Sequence, residues 1–225
     1  WGRLAFGDLE IEAEGVAVLG SIDDVSDLPG GEDDSIDLSQ FGAVARLSYW
    51  FLDRDMKLGV ELGYASGDQW DNTPQGAIHE SNAPVLPGPG DTSLSAFFFD
   101  RDYNIDLILF RELFGAVTNA TYIKPSLDYQ FSDFEIGGAG ILSFANQPVS
   151  TPGNASMYGF ELDAHFGYQN DGFFAGIAYG LLVPLAALDH PGDNALNGGS
   201  GFGYGSNIGD ADTAQTIQTR LVLQF

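Results

Sequence analysis

The sequence predicts an all-β protein: an antiparallel up-and-down transmembrane β-barrel of about eight strands. Three observations predict it. Eight separate segments alternate apolar and polar residues with a period of two, as strands with one oily and one wet face do. Hydrophobic residues make up 44% of the chain, yet no run approaches the roughly 20 apolar residues of a spanning helix. The connections alternate between short and long, which puts tight turns at one rim and long loops at the other.

The closing segment sets the pattern. Ile217, Thr219, Leu221, Leu223 and Phe225 share one face, and Thr216, Gln218, Arg220, Val222 and Gln224 the other. The first segment sets Leu9, Ile11, Ala13, Ala17 and Leu19 against Glu10, Glu12 and Glu14. The second sets Phe41, Leu47, Tyr49 and Phe51 against Arg46, Ser48 and Trp50, and the third Met56, Leu58, Leu62 and Tyr64 against Lys57 and Glu61. The fourth has Ile123, Leu127, Tyr129 and Phe131 opposite Lys124, Asp128 and Gln130. The fifth runs Phe134, Ile136, Leu142, Phe144 with Glu135 between. In the sixth, Tyr158, Phe160, Leu162, Phe166 and Tyr168 oppose Glu161, Asp163 and His165. The seventh carries Phe173, Ile177, Tyr179, Leu181 and Val183 with small residues between.

Short turns are expected at Asp53–Asp55, Ser132–Asp133 and Gln169–Gly172, rich in the Asn, Asp and Gly that tight turns favour. Long loops, expected to be extracellular, are 20–35, 67–115, 146–157 and 188–212. This parity would bring both chain ends to the short-turn, periplasmic rim. Chain 1–225 thus reads as one domain. Phe97–Phe114 could add a hairpin around Asp100–Asn104 and raise the strand count to ten. Trp1 with no signal peptide before it reads as a processed or trimmed chain.

A soluble sandwich would share the alternation. Two features favour the membrane instead. Aromatics such as Tyr49, Phe51, Tyr129, Phe131, Tyr158 and Tyr168 lie near the ends of the apolar faces, as interfacial girdles do. Strand charges keep to the opposite face: Glu10, Glu12, Glu14, Arg46, Lys57, Glu61, Lys124, Asp128, Glu135, Glu161, Asp163 and Arg220 are expected to line a lumen. The expected location is therefore the outer membrane of a Gram-negative bacterium, with membrane lipid and the barrel-assembly machinery as partners and a homo- or hetero-oligomer allowed. Leu221, Leu223 and Phe225 resemble the C-terminal signal which that machinery reads.

Charge excludes some functions. Lys+Arg number 8 against Asp+Glu 32, a formal net charge of -24 that would repel nucleic acid. Cysteine is absent, so disulfides, thiolate metal sites and thiol nucleophiles are excluded. No G-x-S-x-G and no paired-His metal spacing occurs, and His165 beside Asp163 and Glu161 reads as a polar network, so no enzyme is expected. No cofactor is expected either, except Ca²⁺ in the acidic loops, with Asp23, Asp24, Asp33 and Asp34 as hard oxygen ligands but no EF-hand spacing.

One block stands out. Phe97–Glu112 (FFFDRDYNIDLILFRE), Gly63–Asp68 (GYASGD) and Tyr122–Phe131 (YIKPSLDYQF) together resemble the C-terminal half of alginate-export-type outer-membrane proteins and related myxobacterial barrels. The resemblance implies a pore-forming barrel with a long loop folded over or into the lumen, and a missing N-terminal half. A polyanion exporter needs a cationic lining, whereas the lumenal charges named above are eight acidic to four basic, so alginate is not carried over as substrate. The expected function is a porin-like or export-like channel for small solutes or ions, cation-preferring if it conducts. The alternative is a non-conducting barrel that serves as anchor, adhesion platform or subunit of an envelope complex, with a side-chain-filled interior.

Overall fold

The computed structural model describes residues 1–23, 35–68, 93–189 and 209–223. Ten strands form one sheet: β1 (Gly2–Phe6), β2 (Leu9–Asp23), β3 (Ser35–Phe51), β4 (Met56–Ala65), β5 (Ser93–Leu94), β6 (Ala120–Phe131), β7 (Phe134–Ala145), β8 (Met157–Asn170), β9 (Phe173–Pro184) and β10 (Ala214–Leu223). Nine follow one another in the order β1-β2-β3-β4-β6-β7-β8-β9-β10, each antiparallel to the last, and β5 adds parallel to β3. The eight alternating segments are β2, β3, β4 and β6 to β10.

The count of ten is reached differently from the expected extra hairpin. Phe97–Phe114 does not add a hairpin to the sheet. The additions are β5 and β1, which turns back into β2 through Gly7 and Asp8, with Gly7 at a φ of 62° that a side chain would resist. β1 reverses the parity of the N-terminal end. β1 pairs only up to Gly2↔Ala13, so Trp1 lies partway along β2, away from the short-turn rim where β10 ends at Leu223↔Phe173. The expected 20–35 loop is also shorter, because pairing persists through Ile22↔Ile36 to Asp23↔Ser35.

The sheet's two faces have opposite chemistry. Leu62, Leu162 and Ile177, on inner strands, are 51%, 46% and 48% exposed, so the apolar face is no core. At its short-turn end the rings touch in series: Tyr49 with Phe51, Tyr129 with Phe131, Phe131 with Phe134, Phe134 with Phe166 and Tyr168, and Tyr168 with Phe173, at centroid separations of 5.0 to 6.2 Å. Tyr158 departs from this face. A bulge opposite Ser143/Phe144 adds a residue to β8, which breaks the alternation and turns Tyr158 inward, where it is 1% exposed.

The other face curls around a filled interior. One cavity of about 480 Å³ is lined by residues from β2 (Glu10) through β9 (Ala178). Those strands would span ~29 Å if flat, at about 4.8 Å per spacing, so sharing one small cavity requires curvature. Filling the space is the segment 95–119, hereafter the insert. It carries Ile105, Ile108, Leu109, Phe110, Phe114 and Val117 inward against Tyr122, Ile141, Tyr158 and Leu182. Small residues make room for large ones: Tyr122 lies over Gly63, where a Cβ would come within 2.0 Å of its ring. Gly63→Val should therefore destabilise the fold by about 1–3 kcal/mol, whereas Gly20→Ala, where a Cβ meets nothing within 4 Å, should change little. Equal denaturant midpoints for the two variants would refute this packing.

Candidate functional site

Register assembles the interior charges into rows. Glu12 pairs with Arg46, Arg46 with Glu61 and Glu61 with Lys124, so one row runs acid, base, acid, base across four strands. Two rows nearer the short turns Trp50 opposes Lys57, Lys57 opposes Asp128, Asp128 opposes Gly137, and Gly137 opposes His165. Alternating signs at cross-strand spacing let neighbours neutralise one another.

The contacts follow the rows. Arg46 donates from Nε to Glu61 at 2.6 Å and from its terminal nitrogen to Tyr103 Oη at 2.5 Å, and its guanidinium lies 5.1 Å from the Tyr103 ring centroid. Glu61 also accepts from Tyr122 Oη at 2.6 Å. Lys57 Nζ lies 5.8 Å from the Trp50 ring, and His165 Nε2 is 3.8 Å from Asp128. Glu10 pairs with Arg3, a partner in the unforeseen β1. Glu135 packs against Gly167. Glu14 and Arg220 are exposed on the outermost parts of the described sheet.

Glu161 differs from all of these. It is 1% exposed, and its carboxylate accepts backbone N–H groups from Leu107 (3.0 Å), Ile108 (2.7 Å) and Leu109 (2.9 Å). Sealed beneath the insert, it holds that segment and faces no solvent path. Asp106 continues the anchor by accepting from the backbone of Phe110 (2.9 Å) and Arg111 (3.0 Å). These two N–H groups belong to the π-helical turn Leu109–Phe114, where Leu113 N–H donates to Ile108 C=O at 3.0 Å. Burial, and then the negative charge of Glu161, raise the Asp106 carboxyl from 3.8 to about 7. Burial likewise pushes the Tyr103 hydroxyl up to about 12, with Glu61 adding to the effect.

The insert's root is pinned by the GYASGD stretch. Phe41 N–H donates to Ser66 Oγ at 2.9 Å, Ser66 Oγ donates to Ser95 C=O at 2.5 Å, and Phe97 N–H donates to Ser66 C=O at 3.0 Å. Phe97 then lies over Gly42 of β3.

Apolar packing closes the β6–β9 side of the interior, while the β2–β3 side keeps charged groups, Glu12, Glu14 and Arg46, among apolar neighbours such as Val16 and Val44. A second cavity of about 260 Å³ lies there, bounded by Glu12, Glu14 and Gly42 on the sheet and by Phe97, Phe99, Asp100 and Tyr103 on the insert. It shares Glu12 and Arg46 with the larger cavity, whose other charged walls include Glu10, Lys57, Arg111, Lys124, Asp128 and Asp163. The two cavities therefore meet at the Arg46–Glu61–Tyr103 cluster.

Sequence reasoning missed the anchoring roles of Asp106 and Glu161. The dense apolar run DLILF inside a polar connection was the available signal. Among the calcium candidates Asp23 ends β2, while Asp24, Asp33 and Asp34 lie outside the described residues, as does Phe225 of the C-terminal signal. Among the described residues no group of three or more His, Asp or Glu side chains is placed to hold a metal. Leu221 and Leu223 face outward, 75% and 65% exposed. No family model matches the chain, and no curated protein matches it either.

Asp106 supplies a pH test with a definite sign. A carboxyl raised from 3.8 to about 7 binds its proton more tightly folded than unfolded. Anchoring of the insert should thus weaken as pH rises from about 4 to about 7. Limited proteolysis within 95–119 should be slower at about pH 5.5 than at about pH 8, and Asp106→Asn should flatten the difference. Glu161, Asp163 and Lys124 also face this carboxyl. An unchanged pH dependence in Asp106→Asn would assign the effect to them.

Proposed function

We propose that the protein is an outer-membrane β-barrel that passes small cations along an off-centre path beside β2 and β3, with the insert narrowing its lumen. The observation that carries the membrane reading is the sheet's inverted chemistry. Its exposed face is apolar on strand after strand and ends in a belt of touching rings, while its charges face inward. In water such a face would be a large exposed apolar patch. In lipid it is the surface the hydrocarbon requires. No helix among the described residues is long and apolar enough to cross a membrane, so crossing would fall to the strands.

Charge sets the selectivity of the path. The smaller cavity offers Glu12, Glu14 and Asp100 against Arg46, and Arg46 is already tied to Glu61. A narrow aqueous path with negative walls concentrates cations, most strongly when little salt screens it. The lining does not suit a polyanion, so the likeness to alginate-export-type barrels supports an architecture and leaves the cargo to the charges. A second reading, a non-conducting barrel that anchors or presents something, draws support from the insert. Phe110, Leu109 and Val117 are 2% exposed or less and close the β6–β9 half of the interior.

Two measurements test this. Leu162→Arg should destabilise the protein by ~2–4 kcal/mol in lipid refolding, and Asp163→Arg by less. Equal losses would defeat the lipid-facing assignment. In planar bilayers the current should prefer cations, most strongly at low salt, and the preference should drop when Glu10, Glu12 and Glu14 become Gln. An anion-selective current would overturn the lining argument, and a folded barrel with no current would establish the filled-barrel reading.

A further inference from the structure

We propose that the smaller cavity is a binding site for a small organic ammonium ion, a protonated or quaternary amine. This deepens the cation-channel reading by naming a solute class, and it rests on that reading only for the idea that the ligand passes through. Binding itself does not require conduction.

The cavity has the two halves such an ion needs. One half is an aromatic corner on the insert. Phe97 and Phe99 lie 5.9 Å apart at 76°, and Phe99 and Tyr103 lie 5.6 Å apart at 73°. Successive rings steeply inclined to one another present carbon in more than one direction, so an alkylated cation can touch ring carbon on more than one side. Metal cations gain less from such a corner, because they must shed water that ring carbons do not replace. The corner is also held in place. Phe97 occupies the space where a Cβ of Gly42 would fall, and Phe99 N–H donates to Val117 C=O at 2.9 Å.

The other half is negative. Glu12 and Glu14 bound the cavity from β2. Glu14 makes no ion pair among the described residues, so its charge is available to a ligand. The basic side chain in the wall, Arg46, is 2.6 Å from Glu61 and stands over the Tyr103 ring. That contact shows a ring of this corner already receiving a positive charge, the interaction that the ligand would make with its neighbours. A volume of about 260 Å³ suits a molecule of a few heavy atoms and excludes a polymer.

The test uses the full chain folded in maltoside detergent, which carries no ammonium group to compete, titrated with tetramethylammonium chloride by calorimetry. Sodium chloride and tert-butanol, a neutral molecule of similar shape, are the controls. Tetramethylammonium should bind saturably, at least about tenfold tighter than either control. Glu14→Gln, at an exposed position that the fold does not depend on, and Phe99→Leu should each weaken it roughly three- to tenfold, magnitudes of one partly exposed charge or cation–π contact. Asp53→Asn, in a short turn at the far rim, should leave it unchanged. Tert-butanol binding as tightly, or an unaltered affinity in Glu14→Gln, would overturn the site. If tetramethylammonium binds and the bilayers show no current, the site stands and the channel falls. If cations flow and tetramethylammonium does not bind, the site falls and the channel stands.

Discussion

The carboxylate of Glu161 is the interaction on which the interior depends. A curled sheet with an apolar exterior leaves its inner face to be filled, and here a stretch of its own chain fills it. That stretch must bring backbone N–H groups into a space with little water to receive them. Glu161 accepts three in succession, from Leu107 to Leu109, and Asp106 accepts two more. The π-helical turn begins among these donors, with Leu109, Phe110 and Arg111 as its first three residues. Removing the Glu161 carboxylate would leave the buried Ile108 and Leu109 N–H groups without partners, at about 1–3 kcal/mol each, and strip the part-buried Leu107 N–H of its acceptor.

Around this anchor the interior divides into a dry side and a wet side. Phe110, Phe114 and Tyr158 pack edge to face, with Tyr122 tilted against Phe110, over β6 and β8, and the Tyr158 hydroxyl donates to Asn119 C=O at 3.2 Å. On β2, β3 and β4 the charges of Glu12, Arg46 and Glu61 remain in line. The bulge in β8 contributes to the dry side, because without it Tyr158 would point outward and the insert would lose the ring under Phe110 and Phe114. One irregularity in one strand therefore decides how much of the interior is closed.

Much of the sheet was legible because its physics is local. Alternation in Tyr158–Tyr168 or Met56–Tyr64 needs no partner to be seen, and the inward face of Arg46, Glu61 and Asp163 followed from it. What escaped was set by contacts distant in sequence. β1 is five residues long, too short to show a period, although Gly7-Asp8 between Phe6 and Leu9 marked a turn. Tyr158 fits the alternation and breaks it only through the bulge. The anchoring of the insert joins Leu107 to Glu161 across 54 residues, and nothing in either neighbourhood declares the other.

That separation has a consequence in time. Ser66, Gly42 and Arg46, which hold its first part, lie upstream, but the groups that receive its apolar middle lie mostly downstream: Tyr122 and Ile141 on β6 and β7, Glu161 on β8, Leu182 on β9. A chain emerging from its N-terminus exposes FFFDRDYNIDLILF before any of these exists. The segment must then wait through the completion of two hairpins, a closure of high contact order and so a slow one. For that interval this apolar stretch is unshielded, which is the condition under which holding chaperones are needed and aggregation competes. The element that closes half of the finished interior is thus the unfinished chain's point of greatest exposure.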